Sequence, residues 1–89
     1  MTVLLVEYRV HDYAGWKAVF DEDPMGRKPH GVSGHRILQD ADDPNHLMLS
    51  LEFGSVEQAK AFADQLQPVW EMSGAGRAWV LRQAESATY

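Results

Sequence analysis

His35-Arg36-Ile37-Leu38-Gln39-Asp40-Ala41-Asp42-Asp43-Pro44-Asn45-His46-Leu47-Met48-Leu49-Ser50-Leu51-Glu52-Phe53 decides how the chain folds. Leu47, Leu49, Leu51 and Phe53 alternate with His46, Met48, Ser50 and Glu52. Successive side chains of a strand point to opposite faces, so this alternation predicts a strand with one wholly apolar face. Ahead of it, His35, Ile37 and Gln39 share one face of a second strand, and Arg36, Leu38 and Asp40 share the other. Ala41 to Asn45 reads as the turn between them. Pro44 presets φ there, and the Asp and Asn side chains can bond nearby backbone. The stretch is therefore a hairpin, with His35 opening its first strand.

Working outward, a strand and a helix precede the hairpin. In Thr2 to Val10, Leu4, Val6, Tyr8 and Val10 form one face, while Val3, Leu5, Glu7 and Arg9 form the other. Asp12 is placed to cap a helix. Tyr13, Trp16, Val19 and Phe20 follow along one side of it, with Lys17 and Asp21 as an (i, i+4) pair elsewhere. Pro24 breaks the helix, and Met25 to Gly34 is mostly connection, with a helical turn around Arg27. After the hairpin, Ser55 and Gln58 form a capping-box pattern. Val56, Ala59, Phe62, Ala63 and Leu66 then repeat at helical spacing. Pro68 is expected to end that helix, with Val69 to Ser73 as a short second piece burying Trp70, terminated by Gly74 and Gly76. Arg77 to Gln83 reads as a last strand, Trp79 and Leu81 on one face and Ala78 and Val80 on the other.

The order strand, helix, strand, strand, helix, strand is the ferredoxin-like, or split βαβ, plan. The expectation is an α+β fold in one domain over residues 1–89, a four-stranded antiparallel sheet with two helices on one face. Val3, Leu5, Ile37, Met48 and Val80 are assigned to the opposite face, where they make a patch too apolar to leave in water. Two copies packed sheet to sheet would cover it, and a symmetric pair is the commonest assembly.

Composition narrows the function. Thirteen acidic against 8 basic residues give a net charge of −5, which disfavours nucleic acid and anionic membrane as partners. There is no cysteine, so disulfides, thiolate metal sites and a cysteine nucleophile are excluded. Met1 to Val6 lacks the basic leader and long apolar stretch of a signal peptide, and no apolar run approaches the length of a membrane span. A soluble cytoplasmic protein is expected.

The four histidines, His11, His30, His35 and His46, are the candidates for proton transfer, because imidazole titrates near neutrality. His35 stands out, at the end of a glycine-rich connection that can form a pocket rim, and His30 lies in that connection. His46 is read as solvated and His11 as a junction residue. Their spacing matches no metal-ligand pattern. Tyr8, Trp16, Phe20, Phe62 and Trp70 can line a cavity for a flat apolar ligand, or simply fill the core. Ser33, Ser50 and Ser55 lack the context of a nucleophile elbow.

Val10-His11-Asp12-Tyr13-Ala14-Gly15-Trp16-Lys17-Ala18-Val19-Phe20-Asp21, then Arg27, Gly31, Asp42-Asp43-Pro44-Asn45 and Ser55-Val56-Glu57-Gln58-Ala59-Lys60-Ala61-Phe62 resembles the dimeric α/β-barrel proteins. These include the antibiotic-biosynthesis monooxygenases and small actinobacterial proteins called cyclases. The resemblance implies a homodimer with facing sheets and a pocket between helices and sheet. For the polyketide oxygenases it implies no metal or flavin; for another branch it implies haem as substrate. The expected function is thus a cofactor-independent enzyme on an aromatic or polyketide-like substrate, with Tyr8, Trp16, Phe20, Phe62 and Trp70 shaping the pocket and His35 or His30 moving a proton. The alternative is a non-catalytic homodimer that binds a small ligand or serves as a structural partner.

Overall fold

The computed structural model describes residues 1–73 and 75–89. Its elements are β1 (Thr2–Arg9), α1 (Tyr13–Glu22), a 3-10 turn (Lys28–His30), β2 (Val32–Asp40), β3 (Asp43–Phe53), α2 (Val56–Ser73) and β4 (Ala75–Arg82). The strands form one sheet in the order β2-β3-β1-β4, and every pairing is antiparallel. This is the expected ferredoxin-like arrangement, with both helices packed on one face.

Register explains the core. Leu4, Val6 and Tyr8 stand opposite Leu51, Leu49 and Leu47, and directly paired residues of antiparallel strands point to the same side. These six, with Phe53, are buried beneath Ala59, Phe62, Leu66 and Trp70 of α2. α1 contributes differently. None of its residues is fully buried; Tyr13, Trp16 and Phe20 lean on the core half-buried. Val19, expected on the same side, is 57% exposed. At 100° per residue it falls off the stripe set by Trp16 and Phe20.

The opposite sheet face differs from the expectation in two residues. Ile37 pairs with Leu49 and Val80 with Leu4, so both belong to the helix-covered face, where they pack against the core. Leu38, paired with Met48, and Trp79 and Leu81, paired with Leu5 and Val3, take their place on the open face. Leu38 is 58% exposed, Leu81 43% and Trp79 37%.

Three boundaries also move. The hairpin turn is only Ala41 and Asp42, because Asp40 pairs with Asp43; Pro44 and Asn45 lie inside β3, next to a register shift. A strand end beside an irregularity is where proline's missing N–H does least harm. β2 starts at Val32, so His35 is its fourth residue and does not open it. α2 runs through Pro68 to Ser73 as one helix. Leu66 and Trp70 are buried on either side of that proline, and burial on the order of 1.5–3 kcal/mol for each large side chain offsets a lost helical hydrogen bond. The expected stop at Gly74 lies outside the described residues, while Gly76 is inside β4.

Side chains fix the start of both helices. Asp12 accepts the N–H of Gly15 at 3.0 Å, and Ser55 Oγ accepts that of Gln58 at 3.2 Å, as expected of caps. Lys17 and Asp21 pair at 2.6 Å. Asn45 adds a tie across the fold: its Oδ1 accepts the N–H of Tyr13 at 2.9 Å, its Nδ2 donates to the His11 carbonyl at 3.2 Å and its own carbonyl accepts the N–H of Val10 at 2.8 Å. The end of the hairpin thereby holds the entry into α1.

Candidate ligand site between helices and sheet

The site forms where α1 ends. Asp23, just after the helix, adopts a left-handed conformation, φ 53°, in which Asp is tolerated because it can bond local backbone. It does so here. Its carboxylate accepts the N–H of Arg27 at 2.9 and 3.2 Å. The chain thus turns back at Pro24 and brings the Arg27 side chain over the helix end. Arg27 Nη1 donates to the Phe20 carbonyl at 2.8 Å, and the guanidinium lies 3.8 Å above the Phe20 ring. A cation over an aromatic face is held by the ring quadrupole, on the order of 0.5–2 kcal/mol. Gly31, φ 94°, then closes the 3-10 turn with a conformation that only glycine adopts freely, and the chain enters β2.

Beneath this turn is a cavity of about 100 Å³. Tyr8, Leu49 and Leu51 form its floor, Phe62, Leu66 and Trp70 one wall, and Phe20, Pro24, Met25 and Arg27 the other. It is almost wholly apolar. It is smaller than the apolar cavity of ~150 Å³ that accepts benzene, so it offers room for one ring at most. Beside it runs an open groove of about 420 Å³ lined by Asp23, Arg27, Lys28, Val32, Ser33, Gly34 and His35. Cavity and groove share Asp23 and Arg27, which therefore stand at the mouth between them.

The one hydroxyl on the floor is well defined chemically. Tyr8 is 5% exposed, and burial pushes its phenol up to about 12, although a hydrogen bond with Trp70 pulls it partly back. Indole N–H is a donor only. Tyr8 oxygen is therefore the acceptor of that bond, and its own proton stays on the oxygen as a donor. Tyr8 in this setting is an acid kept neutral, able to give a hydrogen bond to a ligand oxygen and unable to act as a base near neutral pH.

The other candidate residues fall around the cavity. Phe20, Phe62 and Trp70 line it with Tyr8. Trp16 lies behind them, stacked on Phe20 at 5.1 Å and tilted against Tyr8 at 5.2 Å. His35 is in the groove, edge-on to Phe20 at 5.0 Å. His30 donates from Nδ1 to the Gly26 carbonyl at 2.8 Å and meets Phe62 at 5.5 Å. Neither histidine lines the cavity. Asp23 is not among the candidates read from the sequence, and Arg27 enters there only as the centre of a helical turn and a position of the resemblance, with no role at a site. Their (i, i+4) spacing across Pro24 is the signal that links the two.

His46, read as solvated, is instead held between two carboxylates on the open sheet face. Nε2 is 2.8 Å from Glu7 and Nδ1 3.2 Å from Asp40. Both ring nitrogens facing carboxylates requires the imidazolium form, in which both donate. Accordingly the hydrogen bonds from Glu7 and then Asp40 hold the His46 pKa above the imidazole range. The same contact with His46 lowers Glu7, while the Asp42 N–H and then His46 lower Asp40. Among the described residues no cluster of three or more metal-ligating side chains occurs, and no helix is long and apolar enough to cross a membrane.

Solved structures place this geometry in a known fold. A protein of Deinococcus radiodurans provisionally named an antibiotic biosynthesis monooxygenase superposes with a TM-score of 0.66, over 100% of this chain and 97% of that one, at 9% identity. A second antibiotic biosynthesis monooxygenase gives 0.64, covering 98% of this chain and 100% of that one at 10% identity. A Nitrosomonas europaea protein with the same provisional name gives 0.59, over 96% of this chain and 100% of that one, at 19% identity. The fold is that of the antibiotic-biosynthesis-monooxygenase-like proteins. No protein-family model matches the chain, and no curated protein matches it in sequence. At these identities the likeness carries the fold, and the chemistry has to be argued from the site.

Proposed function

We propose that this chain is a small cytoplasmic enzyme of monooxygenase or cyclase type. It would use no cofactor, as the resemblance implies, and act on an aromatic or polyketide-like substrate of natural-product metabolism. The observation that carries the reading is the apolar cavity whose floor presents a buried, protonated phenol. A ring bearing a carbonyl or hydroxyl would enter with its oxygen toward Tyr8. Loss of a proton from the substrate then leaves an enolate or phenolate, and the Tyr8 O–H donates to the developing oxyanion. In a dry site such a fixed donor counts for more than in water. His35, in the adjoining groove and edge-on to Phe20, would take the proton.

In the oxygenase form, the substrate carbanion reduces dioxygen and combines with it to a peroxide. Loss of water from the protonated peroxide leaves a carbonyl. A CH2 group and O2 thus give C=O and H2O, with the substrate as the only reductant. In the cyclase form the same enolate carbon attacks a carbonyl of its own chain and water is lost, with no oxygen consumed.

The two forms and the non-catalytic alternative separate in one experiment. The protein is incubated with a panel of phenols, anthrones and 1,3-diketones while oxygen and absorbance are followed. Oxygen uptake matching product one to one marks the oxygenase; product without uptake marks the cyclase. Tyr8→Phe should slow either by about 10²–10³, the usual loss of one oxyanion donor. His35→Ala should be slowed and partly rescued by added imidazole. Binding without turnover of any panel member would sink the enzyme reading. It would leave a small-ligand-binding dimer, which the absence of histidine from the cavity wall favours.

We also infer that two copies pair through the open sheet faces. Leu38, Trp79 and Leu81, with the half-buried Val3, Leu5 and Met48, form a band of the kind that marks an interface. Light scattering during size-exclusion chromatography tests this, and a monomer at micromolar concentration would refute it.

A further inference from the structure

We propose that the ligand of this site is an organic acid: its ring occupies the cavity and its carboxylate lies in the adjoining groove against Arg27 and Lys28. This rests on the reading of the cavity as a ligand site and names the class of ligand it takes. The first ground is continuity. Cavity and groove share Asp23 and Arg27, so anything extending out of the cavity passes the guanidinium. The second is contrast. The cavity wall is apolar apart from Tyr8 and the residues of its mouth, whereas the groove presents Arg27, Lys28, His35 and Ser33. Asp23 is the groove's one carboxylate, and both its oxygens already accept the Arg27 N–H. The groove is therefore cationic on a chain whose net charge is −5, which makes it a local site for an anion and not part of a general basic surface.

The third ground is the state of Arg27. Its side chain is only 20% exposed and is fixed by the Phe20 carbonyl and ring. It forms an ion pair with Asp23, 3.5 Å from Nη1, at a distance too long for a good hydrogen bond. Guanidinium carries five N–H donors. Among the described residues, one of them has a protein acceptor, the Phe20 carbonyl. A positioned, largely desolvated guanidinium with unused donors suits a carboxylate, which can accept two parallel N–H groups.

The test compares 3-phenylpropanoate, its neutral amide and indole by titration calorimetry on the full chain at low salt. The acid should bind about tenfold more tightly than the amide, as expected for a charge-assisted contact replacing a neutral one. The preference should shrink with added salt. It should fall to near parity in Arg27→Gln, persist in Arg27→Lys at reduced strength and weaken in Lys28→Gln. Equal binding of acid and amide by the unmodified protein would overturn the acid proposal while leaving the cavity as a ligand site. Binding of none of the three probes would overturn both. A full preference surviving in Arg27→Gln and Lys28→Gln alike would overturn the assignment to these residues. Should Arg27→Gln fail to fold, the unmodified protein and Lys28→Gln still decide.

Discussion

Removing the Tyr8 hydroxyl isolates the feature on which the functional reading depends. Tyr8→Phe keeps the ring in the core and takes away only the acceptor of the Trp70 N–H. That bond lies in the core, where Trp70 is 9% exposed, so its loss is expected to cost stability. Losing one hydrogen bond costs about 0.5–1.5 kcal/mol, and in a domain of this size ~1 kcal/mol moves Tm by about 4–8 °C. Trp70→Phe destabilises too, through lost volume. The double variant loses the Tyr8–Trp70 bond only once, so the two losses should fall short of their sum by about 1 kcal/mol. Urea unfolding followed by circular dichroism on the four proteins measures the cycle. Additivity within ~0.5 kcal/mol would refute the bond. The pH dependence supplies a second check. The folded chain holds the Tyr8 proton up to about 12, while the unfolded phenol releases it near ~10. The raised value contributes stability that is fully present below about pH 10 and is lost as pH climbs to about 12, ~3 kcal/mol for two units. Tyr8→Phe should lack that decline. An equal decline in both proteins would mean that the phenol ionises as freely folded as unfolded.

Other outcomes follow from the geometry already described. The raised His46 value is a stabilisation present below the imidazole range and lost as pH rises through the shifted value. The lowered Glu7 and Asp40 values are stabilisations present above the carboxylate range and lost as pH falls through theirs. His46→Gln should therefore lower Tm most between about pH 5 and 6.5 and converge on the parent toward pH 9; a constant gap across that range would refute the charged network. Trp79→Lys places a charge in the open-face band and should shift the light-scattering mass to that of a monomer, with the secondary structure unchanged by circular dichroism. Asp12→Ala removes the cap of α1 and should cost about 0.5–2 kcal/mol in urea unfolding. Val19→Lys, two turns further along, should change stability by less than ~0.5 kcal/mol because Val19 faces solvent.

The sequence made the order of elements legible because each apolar stripe has its own period. It left the pairing of those stripes undetermined. Ile37 and Val80 each sit on a strand whose two faces are both partly apolar, so periodicity alone does not say which face meets the helices. The partner in the register decides, and the register depends on a turn of two residues where five were read. Pro68 misled for another reason: a local rule about proline met a tertiary gain from Leu66 and Trp70. In the site, the aromatic residues were visible through helical spacing and strand alternation. Arg27 was visible as a motif position but not as a site residue, because its place over Phe20 depends on the left-handed turn at Asp23. His35 shifted in meaning with the start of β2, from a pocket rim residue at a strand end to a groove residue within the strand.

The manner in which α1 is attached has a dynamic consequence. Its backbone stands off the sheet, and its contacts are made through half-buried rings, with Arg27 fastening the last turn to the segment that follows. The segments with least buried surface are the first to open in a native protein, and they do so as units. The last turn of α1 and the Asp23–Arg27 clasp should then breathe together. Ligands larger than one ring would be admitted at the frequency of that opening. Their association rates would converge on a single ceiling whatever their affinity, and amide exchange between Phe20 and Arg27 would slow when the cavity is filled.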